Sequence, residues 1–449
     1  MRKEGASKRA RSGLEKLWKS DFLRKVAAIS LNRGFVMGMG FLISVVLVRA
    51  LGPEGRGLYV SAMSVAWIGI QLGNLGLHVP NTLLVARDRR SVARLTANSL
   101  VAGALIGGGG ALAAGLCFIL FPSWAPVQGW LLWMSLLWIP FGVIYYLFYN
   151  LLIGIQKVGA FVKIDSASKG IQFLVVCLLA VLFPARVEIF FGCGLALLVV
   201  GCAWQLWELR RHFQEPLRPA FDLYKGIFFH GFKAYGVALF AFLLVRIDVL
   251  IVKYLKGPEQ TGYYSVAASL ADIIPIVPSM IGVILFPKLS ALTDSAERWK
   301  LVRGAIWITG LSLLPFMLLA FFLAGPAIEL FYGAGFLPAA RAFQLLVPGI
   351  YFLALQMVAI QFLKSEKIPM GILATWAGTV ALNILLDLWL VPQYGIEGAS
   401  VVSSACYFLI FLLNLGIIWS KAPVLEREAR SSRVVERKWP SSLLGHQDD

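Results

Sequence analysis

Apolar stretches of about 20 to 30 residues recur along the whole chain, divided by short polar segments. A helix of that length crosses a hydrocarbon core of ~30 Å at ~1.5 Å per residue. Twelve stretches can be bounded: 24–50, 57–83, 95–121, 127–153, 160–183, 187–208, 226–254, 261–287, 302–325, 338–363, 368–391 and 396–420. The pattern predicts an all-α integral membrane protein. Its organisation follows as a basic segment over 1–25, a first lobe over 26–211 (spans 1–6), a linker over 212–225, a second lobe over 226–420 (spans 7–12) and a charged, solvated tail over 421–449.

The polar punctuation repeats. Gly52-Pro53-Glu54-Gly55-Arg56-Gly57-Leu58-Tyr59 returns 205 residues later as Gly257-Pro258-Glu259-Gln260-Thr261-Gly262-Tyr263-Tyr264, and both copies read GPExxGxY. Each copy joins an odd-numbered span to an even-numbered one at the same surface. The halves are therefore parallel repeats about an axis along the membrane normal. Two six-helix lobes around a central cavity are the predicted architecture, as in a transporter. In both copies Gly-Pro suits a tight turn, and the glutamate sits where a carboxylate favours a helix start.

Polar residues inside the spans follow helical spacing. The second span aligns Ser61, Ser64, Gln71, Asn74, His78 and Asn81 on one face, and the eighth aligns Ser265, Ser269, Asp272 and Ser279. A polar stripe in hydrocarbon must face protein or water. Helix packing would explain the small residues; the larger Gln, Asn, His and Asp favour a water-filled path. Ser64, Gln71, Asn74, His78, Ser269, Asp272 and Ser279 are the expected cavity lining. Pro275 and Pro278 interrupt the eighth span.

Four cations lie within spans: Arg33, Lys169, Lys233 and Arg246. Arg33 has no acidic residue three or four positions away to neutralise it. Lys169 has Asp165 four residues before it, so an ion pair competes with a ligand role. Arg246 and Asp248 are two apart and cannot face the same way on a regular helix. Cations lining a membrane cavity suit an anionic substrate, and guanidinium in particular suits phosphate. Asp248, Asp272 and Asp387 are candidates for ion coupling or for pairing with the cations. Trp130, Trp133, Trp138, Tyr145, Tyr146 and Tyr149 give the fourth span an aromatic surface for sugar stacking or for the membrane interface.

The net charge of +17 suggests nucleic acid until its distribution is seen. With the N-terminus inside, 31 of the 41 Lys/Arg fall on cytoplasmic segments and 6 on outer ends. This is the positive-inside bias, so the charge reports topology with both termini cytoplasmic, and attraction to anionic lipids follows from it. The five cysteines all fall in spans, without metal-binding spacing. Gly107-Gly108-Gly109-Gly110 lacks the Lys-Ser/Thr of a phosphate-binding loop and reads as a packing surface or flexible point. Short loops and scattered histidines argue against a membrane glycan polymerase or ligase, and no cofactor or metal site is expected.

Three segments carry a resemblance. They are Val48–Tyr59; Arg246-Ile247-Asp248 continuing through Gly257 to Ala267; and Asn383-Ile384-Leu385-Leu386-Asp387 followed by Val391–Ser400. With the twelve spans, they make the chain resemble the polysaccharide biosynthesis (Wzx-type) flippases of the multidrug/oligosaccharidyl-lipid/polysaccharide exporter superfamily. The family often has Asn where Asp387 stands. The resemblance implies alternating access in a bacterial cytoplasmic membrane. The implied substrate is a polyprenyl-pyrophosphate-linked glycan such as an O-antigen or exopolysaccharide repeat unit. H⁺, Na⁺ or the membrane potential would drive it, with a glycan polymerase and glycosyltransferases as pathway partners. By position, Arg33 and Arg56 are the candidates for the pyrophosphate, with Lys169, Lys233 and Arg246 supporting. A drug or cation antiporter of the same architecture is the alternative.

Overall fold

The computed structural model describes residues 21–225, 228–292, 295–365 and 370–438, and these contain helices and connecting turns with no strand. The expected basic segment 1–25 therefore lies almost wholly outside the described residues. The helices are α1 (Asp21–Asn74), α2 (His78–Arg87), α3 (Val92–Ala102), α4 (Gly108–Leu120), α5 (Gly129–Gly154), α6 (Val158–Leu182), α7 (Val187–Arg210), α8 (Phe228–Ala271), α9 (Ile276–Ala291), α10 (Ser295–Phe322), α11 (Ala324–Tyr332), α12 (Pro338–Ser365) and α13 (Met370–Lys438). The last runs through the stretch beyond Lys421 that the sequence suggests is a solvated tail.

Nine stretches among the described residues are long and apolar enough to cross a membrane. Three of them, in α1, α8 and α13, turn at Gly52, Gly257 and Gly395, with φ of 66°, 84° and 59°. That backbone region disfavours a Cβ, which is why glycine stands at each turn. At the first two, the following proline supplies the φ that restarts a helix. Taking both sides of each turn gives the twelve apolar segments of the hydropathy pattern. The eighth is interrupted between Ala271 and Ile276, at Pro275, as its prolines predict.

The described residues form two compact units. The first runs to Tyr235 and includes Val252–Ser265 and Phe331–Gly335; the second holds Gly236–Ile251, Val266–Leu330 and Phe336 onward. The boundary thus departs from the 212–225 linker: the second GPExxGxY copy belongs to the same unit as the first. The reason is a backbone contact. A Cβ on Gly57 would lie 1.7 Å from the Pro258 carbonyl oxygen, and one on Gly262 would lie 1.9 Å from that of Pro53. Each glycine admits the turn of the other copy.

Two apolar clusters hold the first unit together. Ile43, Leu47, Tyr59, Met63, Trp138, Phe190 and Phe191 pack at the hairpin end. Val85, Val92, Leu95, Leu147, Phe148, Leu209 and Tyr224 pack at the other. Between α3 and α4, Gly103–Gly107 forms a single π turn. Gly103 there faces Ile144 and Gly107 faces Pro140, both too near for a Cβ, whereas Gly109 and Gly110 face open space. The close packing belongs to the π turn and to only the first glycine of the expected run.

Two asparagines help to hold the linker. Asn98 Nδ2 donates to the Ala220 carbonyl at 2.9 Å, and the Ala220 N–H donates to Asn98 Oδ1 at 2.7 Å. Burial pushes the Tyr224 hydroxyl up to about 12, so it remains protonated and donates to Asn81 Oδ1 at 2.7 Å. Asn98→Ala leaves both Ala220 groups without their partner, and a destabilisation of about 1–3 kcal/mol is expected. Thermal unfolding together with faster tryptic cutting at Lys225 is the check; an unchanged cutting rate would contradict the tether.

Candidate functional site

Polar residues inside the helices gather into one cluster in each unit. In the first, α1 contributes Asn32 and Arg33, α5 contributes Tyr145 and Tyr149, and α6 contributes Asp165, Ser166, Lys169 and Gln172. Asn32 is buried and donates from Nδ2 to Asp165 Oδ2 at 2.9 Å, while Ser166 Oγ donates to Asn32 Oδ1. Lys169 turns away from Asp165 and donates to Gln172 Oε1 at 2.9 Å. The ion pair suggested by the four-residue spacing does not form as a contact. Asp165 and Lys169 still act on each other electrostatically, but the neutral Asn32 is what meets the carboxylate.

Arg33, next to Asn32 on the helix, is exposed where Asn32 is buried. No hydrogen bond or ion pair reaches its side chain among the described residues; Tyr149 is its electrostatic neighbour. The arrangement is an anchored Asn32, a loosely partnered Lys169, and a guanidinium with its donors open. Lys233 lies in α8, but its side chain is outside the described ones.

Arg56 has a different place. It is 6% exposed and donates from Nε to Ser265 Oγ at 3.2 Å and from Nη2 to Ser44 Oγ at 3.1 Å. Its guanidinium lies 5.9 Å from the Tyr59 ring centroid. Arg56 ties the first hairpin to the second copy of the motif, and its donors face protein. The position that made it a candidate ligand makes it a strut here. Thr261, its counterpart in the second copy, instead donates to the Gly257 carbonyl of its own helix at 2.8 Å.

The second unit holds a buried acidic cluster. Asp248 on α8 and Asp387 on α13 are 1% and 0% exposed, and their carboxyls act on each other. Ser403 Oγ donates to Asp248 Oδ2. Asn383, one helical turn before Asp387, and Cys406 and Tyr407, one turn after Ser403, complete the surroundings. Both Asp387 oxygens are buried, and the Asp248 carboxyl is the hydrogen-bonding group beside them. Two adjacent carboxylates in a dry site cannot both stay charged unless a proton or a cation joins them. The oxygen-rich donor set fits a small hard cation as well as a shared proton.

Arg246 and Asp272 form a separate pair, Nη2 to Oδ2 at 2.7 Å, with the carboxylate side chain 43% exposed. Two-residue spacing sends Arg246 and Asp248 to different partners, as a helix requires. Asp272 is thus a charge partner of Arg246 and stands apart from the buried pair.

The polar stripes are mostly enclosed. Ser61, Ser64, Asn74 and Asn81 are at most 2% exposed. Ser61 and Ser64 donate to their own helix at Gly57 and Val60. Asn74 Nδ2 lies 2.8 Å from His78 Nδ1, and His78 packs against the Tyr146 ring. Ser64 and Asn74 therefore pack against protein rather than line an open path. Gln71, His78, Ser269 and Ser279 are half-buried and Asp272 is exposed.

Asn383 and Ser403 escaped the sequence reading as site residues. A single small polar group in a span carries no charge signal, although Asn383 stands one turn from Asp387 within one of the motif segments.

A family model described as "Polysaccharide biosynthesis protein" matches residues 22–293. The chain belongs to that family. Among its relatives, a Shigella flexneri protein named "Putative O-antigen transporter" is 27% identical over 386 residues, spanning 82% of this chain and 90% of its own length. Two solved structures share the fold at low identity. One is a multidrug resistance MATE family transporter of the MOP superfamily, inward-facing (TM-score 0.71, 14% identity, 89% of this chain and 99% of that one). The other is the lipid II flippase MurJ in an inward closed conformation (TM-score 0.67, 13% identity, 94% and 93%). The two-lobe, all-helical architecture of the family member is that of these transporters, and the repeat in its sequence is the trace of the two lobes.

Proposed function

We propose that the protein flips a polyprenyl-pyrophosphate-linked oligosaccharide from the inner to the outer leaflet of a bacterial cytoplasmic membrane by alternating access. Arg33 carries the reading: an exposed guanidinium inside an apolar helix, with no counter-ion among the described residues, beside a neighbour that is anchored. Such a group presents a planar fork to a diphosphate. The name of the Shigella flexneri relative and the flippase among the structural neighbours support the same substrate class. Lys169 is the second cation of that cluster, and Tyr145 and Tyr149 offer surface to a sugar.

Coupling is assigned to Asp248 and Asp387. An ion or proton that joins the two carboxyls binds one conformation better than the other, and that difference drives the cycle. Arg33→Ala is expected to lower translocation of lipid-linked sugar in proteoliposomes by about 10- to 100-fold, the equivalent of one or two charge-assisted hydrogen bonds. Its level in the membrane should stay that of the unaltered protein, and Arg33→Lys should recover part of the activity. Full translocation by Arg33→Ala would remove the residue from the site.

One observation favours the antiporter reading, the buried carboxylate pair, which suits a cationic cargo. Transport of a cationic dye, insensitive to Arg33→Ala and lost on neutralising Asp387, would establish it.

A further inference from the structure

A small basic pocket opens at the end of the first unit opposite the hairpins. It has a volume of about 180 Å³ and is lined by Arg89, Val92, Ile155, Lys157, Arg211, His212, Phe213 and Gln214. The linings come from three places in the chain: the turn before α3, the turn between α5 and α6, and the residues just after α7. Val92 and Ile155 are buried and form an apolar floor, while the cationic side chains stand at the rim.

The charges here are barely compensated. Glu208 reaches Arg211 at 3.4 Å, and Glu215 is taken by Arg94 at 2.5 Å. Arg89 and Lys157 form no ion pair among the described residues. The Arg211 guanidinium carbon lies over the Trp207 ring, 3.7 Å from its centroid, which helps to fix its direction. His212 Nε2 is buried and has no hydrogen-bond partner among the described residues. Burial, with Lys157, Arg89 and Arg211 adding to it against the opposing pull of Glu208, holds the His212 imidazole below its usual range. A topology-setting surplus of lysine and arginine accounts for basic residues at this end. It does not account for a concave site, an apolar floor or an unpartnered imidazole nitrogen.

We propose that this pocket binds a phosphate group, held by Arg89, Lys157 and Arg211 with His212 and Gln214 as further hydrogen-bonding groups. The phosphate belongs either to an anionic membrane lipid or to a soluble ion. The site is separate from the Arg33 cluster and does not depend on the transport reading. A volume well above the roughly 10–15 Å³ that a single water needs leaves room for the group. Planar guanidinium and point-like ammonium together suit it.

The test uses the full-length purified protein and thermal unfolding. Short-chain phosphatidylglycerol should raise the midpoint more than phosphatidylcholine does. Arg89→Gln/Lys157→Gln, which alters two exposed side chains, should remove that preference and leave the lipid-free midpoint unchanged. Arg218→Gln/Lys225→Gln removes equal charge from the neighbouring linker outside the pocket and should keep the preference. Inorganic phosphate alone forms a second arm: stabilisation that the first double variant loses supports the site and names a soluble ion as its ligand. Equal loss in both double variants, or no preference for phosphatidylglycerol together with no phosphate effect, overturns the proposal.

Discussion

Alanine at Gly57 will destabilise the protein by about 1–3 kcal/mol, the usual cost of forcing atoms into a filled site. The new methyl would sit 1.7 Å from a carbonyl oxygen. Backbone cannot rotate aside as the end of a side chain can, so the two hairpins must separate. Gly262→Ala meets the same obstacle from the other side, 1.9 Å from the Pro53 oxygen. Because both substitutions break one contact, the double variant should cost clearly less than the two single costs added together. Gly109→Ala is the control: it faces open space within a helix, and alanine there should stabilise by roughly 0.5–1 kcal/mol. Thermal midpoints of the unaltered protein and the four variants decide the matter. Additive costs at Gly57 and Gly262 would mean that the hairpins do not restrain each other.

Neutralising Asp387 should divide stability from transport. Asp387→Asn keeps the shape of the side chain and removes one of two carboxyls from a dry site. The folded protein should become more stable by a few degrees, on the scale of about 2–4 °C per kcal/mol for a domain of this size. Transport should fall at least about ten-fold, since losing ~1.4 kcal/mol of ion-linked driving force is a factor of ten. The ion can be named in the same experiment. If sodium joins the carboxyls, it raises the midpoint of the unaltered protein, by up to about 2.7 kcal/mol at a hundred times its dissociation constant. Asp387→Asn and Asp248→Asn should both lose that response. If a proton joins them, acidification stabilises the unaltered protein relative to the variants. Unimpaired transport by both variants would exclude the pair from coupling.

Much of the fold was legible because hydrocarbon imposes one rule on every span. Length, apolarity and the two GPExxGxY copies were enough to set twelve segments and their parity. The chemistry was harder to read, and Ser64 and Asn74 show why. A polar stripe means that the face is not toward lipid, but periodicity cannot separate water from a neighbouring helix. Serine adds to the ambiguity, because its hydroxyl can return to a carbonyl of its own helix. Arg56 was misplaced for a related reason: a cation near a turn looks accessible until Ser44 and Ser265 are brought to it from 12 and 209 residues away. Arg33 stands out in the sequence as a cation without a local counter-ion, and the fold adds none among the described residues. Asp165 looked like a partner of Lys169 by spacing, yet the folded chain offered it Asn32, a contact across 133 residues that no local rule contains.

The paired hairpins also bear on origins. Gly57 receives Pro258 and Gly262 receives Pro53, so each half presents the same patch and accepts the same patch in return. That reciprocity is the form of an isologous interface between two identical subunits. A half-length chain carrying a single copy of the motif would have met its own twin at this surface and closed as a symmetric dimer. A single chain that carries both copies has no such requirement for identity. Arg56 in one half and Thr261 in the other hold the equivalent position with different partners, Ser44 and Ser265 for the first and the Gly257 carbonyl for the second.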